Sequence, residues 1–243
     1  MTWKDSVRLG FQRHLGLDIV RFPGHDPILN TVKLLNHYRV DCVVDVGANT
    51  GGFALPLREA GYRGRIISFE PLSKPFAALR RYVDRDTKWD AYQFAVGAAK
   101  ERVTINISGN AGLSSSVLPM LDSHTAAAPQ SRYVGSETVD QDRLDSLLPK
   151  FGVTSSGRVF LKIDVQGYEA AVLDGASDLL ASSTVVGMQL ELSLTPLYEG
   201  AMTYREGLAR ADALGMNLMG ISPVFTNPDS GRLLQFDAVF FKE

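Results

Sequence analysis

The chain has 243 residues, of which 45% are apolar and 21% charged, and 25 Lys and Arg oppose 27 Asp and Glu for a formal net charge of −2. This length and composition are typical of one globular domain, or of two small ones at most. The charge balance argues against a general nucleic-acid-binding surface, and no apolar run approaches the roughly 18 residues of a membrane-spanning helix.

The N-terminal segment has no apolar core or cleavage site of the secretory type, so we expect a cytoplasmic protein. Apolar residues recur at every fourth position of residues 3–15, which predicts a helix. A second helix is predicted to follow an N-cap at Asp26, with Pro27 as its first residue. We interpret residues 1–40 as an N-terminal helical cap and residues 41–243 as the main domain.

Residues 43–53 place a short β-branched run directly before a glycine-rich turn, and residues 53–60 then read as a helix. Strand, glycine turn and helix in this order build a nucleotide crevice at the carboxyl end of a parallel strand. The spacing is not G-x-G-x-x-G, because the acid Asp45 stands two residues before Gly47. A carboxylate there would repel a pyrophosphate but suits the ammonium group of S-adenosylmethionine. The turn therefore favours a methyltransferase.

A second acid follows the next predicted strand, residues 65–69, at Glu70. An acid at this strand tip accepts hydrogen bonds from a ribose diol, in NAD sites and in S-adenosylmethionine sites alike. Glu70 alone is thus weak evidence, because a solvated acid at a strand end is the ordinary alternative. Together with the glycine turn, it supports a nucleotide crevice.

The middle of the chain is predicted to leave the simple strand–helix alternation. Ser73 can cap a helix, residues 91–96 read as the third strand, and residues 103–107 alternate as an additional antiparallel strand. Residues 108–136 are rich in Ser, Gly and Ala and show no periodicity, so we expect a long functional loop that closes over the site as a mobile lid. A helix is predicted over residues 140–148.

Two later strands, residues 158–164 and 185–191, also end in acids, Asp164 and Glu191. In a doubly wound α/β sheet these tips open onto one crevice. Clustered carboxylates hold a hard divalent cation or accept a proton from a substrate hydroxyl, although each could simply cap the next helix. We predict Asp164 and Glu191 as catalytic residues that bind Mg²⁺. The alternative without a metal is a histidine base, for which His124 is the candidate.

The C-terminal part is predicted to end in an antiparallel hairpin. Thr203 and Glu206 form a capping-box pattern that opens a helix, and Gly215 ends it. Residues 217–221 and 236–241 read as the last two strands, which can pair with each other.

Several of these motifs together resemble the FkbM family of S-adenosylmethionine-dependent O-methyltransferases. The resemblance covers roughly residues 40–242, and its most specific parts are the glycine turn and the Ile-Asp-x-x-Gly-x-Glu segment. One departure is Gln166, where the family commonly has Glu, so a ligand or base role there is in doubt. The segments that carry the resemblance are residues 45–51, 69–71, 94–97, 114–116, 161–169, 173–176, 190–193 and 197–200.

The resemblance implies a Rossmann-like fold with a seven-strand, mostly parallel sheet, and methyl transfer to a hydroxyl of a sugar, glycolipid or polysaccharide. Residues 1–40 lie outside it and are the expected source of acceptor specificity or of contacts in a homodimer. The cofactor site is predicted at Asp45, Gly47, Asn49, Thr50, Gly51, Phe53, Glu70, Pro71, Ala95, Val96, Ser115 and Asp164.

Two other functions remain open at this point. Strand, glycine turn and helix also occur in nicotinamide-dependent oxidoreductases, although the missing G-x-G-x-x-G disfavours that class. A carbohydrate-binding protein on a decayed methyltransferase fold is the non-enzymatic alternative, and the intact acids and glycines argue against it.

Overall fold

The protein is described by a computed structural model over residues 3–15 and 26–243. Residues 1–2 and 16–25, which belong to the predicted N-terminal helical cap, lie outside the described residues. None of the helices in the two described ranges is long and apolar enough to cross a membrane. The helices are α1 (Trp3–Leu15), α2 (Pro27–His37), α3 (Ala54–Glu59), α4 (Ser73–Val83), α5 (Asp122–Ala127), α6 (Leu144–Lys150), α7 (Glu169–Asp174), α8 (Ser177–Ala181) and α9 (Tyr204–Ala213), with a short 3-10 turn at Pro129–Ser131.

The strands form a seven-stranded and a three-stranded sheet. They are β1 (Cys42–Val46), β2 (Arg65–Phe69), β3 (Trp89–Tyr92), β4 (Ala95–Val96), β5 (Glu101–Ser108), β6 (Tyr133–Asp142), β7 (Val159–Ile163), β8 (Val185–Ser193), β9 (Met216–Thr226) and β10 (Leu233–Lys242). The larger sheet has the order β3-β2-β1-β7-β8-β10-β9. In it, β10 runs in the direction opposite to the other six strands. The predicted fold class is therefore confirmed.

Strand order reverses between β1 and β7, which are neighbours although β2 and β3 lie on the far side of β1. In such a sheet the loops after the two central strands diverge to opposite faces and leave a crevice at the carboxyl ends. Both central strands are buried along their whole length, because helices cover both faces of the sheet. The fold thus places the candidate site at the tips of β1 and β7.

The core has one layer on each face of the sheet. One layer contains apolar side chains of α6, α7, α8 and α9, and the other contains side chains of α2, α3 and α4. Val32 and Leu35 of α2 belong to the second layer, so α2 is packed into the same core as the strands. A domain boundary at residue 40 stays a prediction.

The smaller sheet, β4-β6-β5, corrects three expectations from the sequence. The predicted third strand splits, because the chain turns at Phe94 and residues 95–96 pair with β6 instead of continuing β3. Residues 108–136 contain α5 and the start of β6 rather than one loop. The helix predicted from residue 140 begins at Leu144, since residues 140–142 pair with β4 and β5. Half of the residues of β6 are exposed and most are polar, so the sequence showed no alternation there.

Helix ends follow the sequence in three of four cases. Asp26 caps α2 by accepting a hydrogen bond from the Leu29 amide, and both hydrogen bonds of the Thr203–Glu206 capping box are present. Gly215, with φ +68°, follows α9 as expected. Ser73 is instead the first residue of α4, and its hydroxyl donates to Glu137 of β6. That contact joins the smaller sheet to α4.

We predict that Gly175→Ala lowers the free energy of unfolding by about 1–3 kcal/mol, the usual range for overpacking. Gly175 ends α7, and an added Cβ would lie 1.9 Å from the Gly97 carbonyl oxygen, where only backbone could yield. The matched control is Gly135→Ala in β6, where an added Cβ has no atom within 4 Å among the described residues. Urea denaturation of both variants measures the difference, and equal midpoints would contradict the prediction.

Candidate active site

An open crevice of about 710 Å³, part of which is open to solvent, lies at the carboxyl ends of β1, β2 and β7. Leu113 and Tyr168, which the sequence did not indicate, also line it. The predicted cofactor residues that line it are Gly47, Asn49, Glu70, Pro71, Ala95, Val96, Ser115 and Asp164. The structure therefore brings two thirds of the predicted set to one volume.

The glycine turn has its shape because two strand tips approach each other closely. Gly47 has φ +82°, and a Cβ at this position would lie 1.8 Å from the Asp164 carbonyl oxygen. The Gly47 and Ala48 amides both donate to the Phe69 carbonyl at 3.0 Å, which fastens the turn to β2. Only glycine allows the two backbones to come this close. Glycine is therefore required at position 47 because β1 and β7 are neighbours.

Glu70 holds the rim of the crevice together. Its two carboxylate oxygens accept hydrogen bonds from the amides of Asn49 and Leu72, each at 2.8 Å. Burial raises the pKa of this carboxyl to about 7, against the lowering effect of these two amides. Each carboxylate oxygen has a second lone pair, so Glu70, which lines the crevice, can accept further hydrogen bonds, as a ribose diol would require.

Asp45 does not line the crevice, which corrects its predicted contact with an ammonium group. Its side chain is fully buried, and Oδ1 lies 3.4 Å from the Lys162 ammonium. Asp45 and Lys162 are partners in the β1–β7 register, so their side chains leave the same face of the sheet. Burial raises the pKa of Asp45, and Lys162 opposes that rise. Asp45 thus already has an ion-pair partner, Lys162, within the protein.

The other three predicted cofactor residues also lie outside the crevice. Gly51 has φ +97°, and a Cβ added there would lie against the side chains of Leu79 and Trp89. It therefore contributes to the shape of the turn and not to the lining of the crevice. Thr50 and Phe53 line an adjoining groove instead.

That groove, of about 820 Å³, lies between α2 and the end of the sheet formed by β7, β8, β9 and β10. It shares Gly47, Asn49, Leu113 and Asp164 with the crevice, so the two spaces meet at these residues. The crevice and the groove can therefore hold two different molecules side by side, with Asp164 at the junction.

Asp164 and Glu191 lie close together, as predicted, but an amide stands between them. Nε2 of Gln166 donates to Asp164 Oδ1 at 2.8 Å and to Glu191 Oε2 at 2.7 Å, while Oε1 accepts from the Tyr198 hydroxyl at 2.8 Å. The second oxygen of Asp164 contacts the Lys162 ammonium at 3.2 Å. Burial raises the pKa of Glu191 well above its ordinary value, and the charge of Asp164 adds to that.

This arrangement does not support the predicted Mg²⁺ site. A hard cation needs several free oxygen ligands, whereas these carboxylates already face amide hydrogens and an ammonium group. Within the described ranges, no three His, Cys, Asp or Glu side chains are grouped so that they could hold a metal ion. The repulsion between the Asp164 and Glu191 carboxylates is relieved instead by Gln166, by Lys162 and by the protonation that burial favours in Glu191.

His124 is not placed to act as a base either. It is 2% exposed, and its ring packs against Tyr198 and Phe225 at centroid distances of 5.2 and 5.3 Å. Burial lowers the pKa of His124 to about 4. His124 lines neither the crevice nor the groove. It belongs to a small apolar cluster with Tyr198 and Phe225. The residue was expected in a loop, but α5 carries it into that cluster.

Two residues of the site were missed from the sequence, Lys162 and Asp237. Both interrupt apolar strands, and both line the groove. A charged residue in an otherwise apolar, fully buried strand is rare unless it is paired, and that signal could have identified Lys162. Asp237 was not predicted as a site residue because its strand was interpreted only as part of the C-terminal hairpin.

The chain was compared with known families and structures. A family model described as "Methyltransferase FkbM domain" matches residues 45–227. A solved FkbM methyltransferase from Methylobacillus flagellatus KT is 13% identical with a TM-score of 0.47, over 82% of this chain and 43% of that one. The chain thus spans less than half the length of that protein. Among curated proteins the search finds no significant match.

Two further structures are similarly distant. Magnesium protoporphyrin IX methyltransferase from Synechocystis PCC 6803, solved with bound SAM, is 12% identical with a TM-score of 0.46, over 100% of this chain and 98% of that one. TehB from Haemophilus influenzae is 9% identical with a TM-score of 0.48, over 97% of this chain and 67% of that one.

We predict that Glu70→Ala weakens the binding of S-adenosylhomocysteine by about 1–3 kcal/mol, because it leaves buried hydrogen-bonding groups without partners. Isothermal titration calorimetry measures the dissociation constant. Glu59→Ala, the same substitution at an exposed position of α3, is the control and should bind as the unaltered protein does. An unchanged dissociation constant in Glu70→Ala would remove Glu70 from the cofactor site.

Proposed function

The chain belongs to the FkbM methyltransferase family, and from this we propose that it transfers the methyl group of S-adenosylmethionine to a hydroxyl of a sugar or glycan. The observation that carries the proposal is that the crevice at the strand tips and a polar groove meet at Asp164. Methyl transfer needs two molecules held with their reacting atoms in line, and the two adjoining spaces suit that requirement.

The crevice is the proposed cofactor site. Glu70 would accept hydrogen bonds from the ribose, and the backbone of Ala95 and Val96 would contact the adenine. Asp164, whose side chain is 30% exposed, also lines the crevice and would face the ammonium or sulfonium group of the cofactor. S-adenosylmethionine supplies a methyl group that is already activated, since its leaving group is a neutral thioether.

The groove is the side from which the acceptor would approach. Thr31, Gln189 and Ser222 give it hydroxyl and amide groups, which match the hydroxyls of a sugar. Because α2 supplies part of this lining, the residues before β1 would contribute to acceptor specificity, as expected from the sequence. A homodimer and a cytoplasmic location stay predictions.

The proposal predicts that the protein binds S-adenosylhomocysteine but not NAD in calorimetry. It also predicts transfer of tritium from methyl-labelled S-adenosylmethionine to at least one of a set of methyl glycosides and polysaccharides. Binding of NAD alone would favour an oxidoreductase. Binding of glycans without cofactor binding would favour a carbohydrate-binding protein, and transfer only to acceptors other than glycans would reject the sugar assignment.

We further predict that EDTA leaves methyl transfer unchanged. The reason is that Gln166 and Lys162 occupy the carboxylate oxygens that a metal would need. The measurement is the initial rate with excess EDTA, against the same buffer with added MgCl₂. Loss of activity that MgCl₂ restores would show that the side chains rearrange around a metal.

A further inference from the structure

We propose that the groove between α2 and β10 binds the acceptor, and that Asp237 is the catalytic base that takes the proton of the acceptor hydroxyl. This inference rests on the proposed methyl transfer and adds to it an acceptor site and a catalytic residue that the sequence did not indicate. The acceptor class is a hydroxyl-rich molecule such as a sugar.

The groove has the position that an acceptor site needs. It joins the cofactor crevice at Gly47 and Asp164, so a molecule bound there faces the end of the crevice nearest the glycine turn. Beyond Thr31 and Ser222 it continues into a second hollow between α2 and β9. The extended space can accept a ligand larger than a single sugar ring, with one end held beside Asp164.

Among the acids that the sequence singled out and Asp237, only Asp164 and Asp237 line the groove. Both oxygens of Asp164 already take hydrogen bonds, from Gln166 and from Lys162. Glu191 lines neither space and accepts hydrogen bonds from Gln166 and Gln235.

Asp237 differs from both of these acids. Its carboxylate interacts with the Gln189 side chain and, with four lone pairs, keeps acceptor capacity for a ligand hydroxyl. It is half-buried and lies opposite Ser222 of β9 in the β-sheet register. A hydroxyl bound between α2 and β10 can therefore donate to Asp237 without competing with the amide and the ammonium group that already engage both oxygens of Asp164.

The charges around Asp237 suit a group that gains a proton during the reaction. Burial and the negative charge of Asp164 raise its pKa to about 6, while Lys162 and Gln189 oppose that rise. Glu191, its register partner on β8, has a pKa raised well above its ordinary value. The facing groove residues Thr31 and Ser222 are uncharged. Asp237 is therefore ionised at neutral pH and binds a proton more tightly than an ordinary aspartate does.

The step balances without any further reactant. The acceptor oxygen forms a bond to the methyl carbon while the carbon–sulfur bond breaks. The electron pair of the broken bond stays on sulfur, which becomes a neutral thioether. The hydroxyl proton passes to the Asp237 carboxylate, which later releases it to solvent. No oxidant, reductant or metal takes part in this step.

The test compares Asp237→Asn, which keeps the size and hydrogen bonding of the side chain, with Asp229→Asn, the same change at an exposed site of the β9–β10 connection. General-base catalysis contributes about 10²–10⁴-fold, so kcat should fall at least 100-fold in the first variant and stay unchanged in the second. The S-adenosylhomocysteine dissociation constant should be the same in both. The kcat of the unaltered protein should fall as the pH drops below about 6, where Asp237 becomes protonated.

A second variant, Ser222→Trp, should fill the groove. Saturation-transfer NMR with methyl glycosides and the S-adenosylhomocysteine complex should show binding to the unaltered protein and none to this variant, with cofactor affinity retained. Partial recovery of kcat in Asp237→Glu would distinguish a base from a purely structural carboxylate.

The outcomes separate this inference from the proposed function. Failure of the unaltered protein to bind S-adenosylhomocysteine would reject both. Cofactor binding with no binding or methylation of any glycoside would overturn the sugar acceptor both here and in the proposed function. With glycoside methylation intact, an Asp237→Asn variant within threefold of the unaltered kcat, or glycoside binding that persists in Ser222→Trp, would overturn this inference alone. A loss of kcat accompanied by weaker cofactor binding would make Asp237 structural and overturn its role as base.

Discussion

The site depends on one buried cation, the Lys162 ammonium, at the point where strand order reverses. It is 5% exposed and lies 3.4 Å from Asp45, 3.2 Å from Asp164 and 3.5 Å from the Gly47 carbonyl. Burial alone would lower the pKa of Lys162, but the charges of Asp164 and Asp45 raise it above its ordinary value. Breaking such a buried pair costs about 3–5 kcal/mol, because it leaves an uncompensated charge in the core. The ion pairs therefore hold the tips of β1 and β7 in one arrangement.

Gln166 completes this arrangement on the other side of Asp164. Its amide is polarised between two carboxylates and the Tyr198 hydroxyl, and its backbone carbonyl accepts from the Ser116 hydroxyl at 2.7 Å. Through these bonds the turn after β7 is tied to the segment that lines the crevice. A glutamate at this position, as the family resemblance implies for other members, would add a third carboxylate to the cluster and make it a better cation site. In this chain, the glutamine instead places an uncharged amide between Asp164 and Glu191 and donates hydrogen bonds to both.

The parts of the site that the sequence predicted are those with a local pattern. A strand, a glycine turn and an acid at the next strand tip lie within a few residues of each other, so Gly47 and Glu70 could be placed before the fold was known. Lys162 and Asp237 depend on which strands are neighbours and on their register, which no local pattern contains. The same limit explains Asp45, because its carboxylate was assigned to a ligand although its partner, Lys162, lies on β7.

The fold was predictable to a similar degree and for the same reason. Three of the parallel strands, β1, β2 and β7, are short and largely apolar and are followed directly by a glycine or an acid, and all five parallel strands of the large sheet overlap strands expected from the sequence. The smaller sheet was missed in part because β6 is polar and half of its residues are exposed, so hydrogen bonds to β5 help to keep it in place. His124 shows the converse case. The unpatterned segment that contains it was expected to be a mobile loop, but packing against Tyr198 and Phe225 buries this residue.

The negative charge of the site also bears on how the proposed reaction could be accelerated. A carboxylate such as Asp164 attracts a sulfonium group in the bound state, and that attraction would slow a reaction in which the positive charge simply disappeared. In methyl transfer to a hydroxyl, the charge passes from sulfur to the acceptor oxygen and leaves as a proton. If Asp237 receives that proton, its own negative charge is neutralised, and the net charge of the site is the same in the bound state and in the product. A carboxylate on the groove side thus stabilises the positive charge that develops on the acceptor oxygen, which offsets the attraction lost at sulfur.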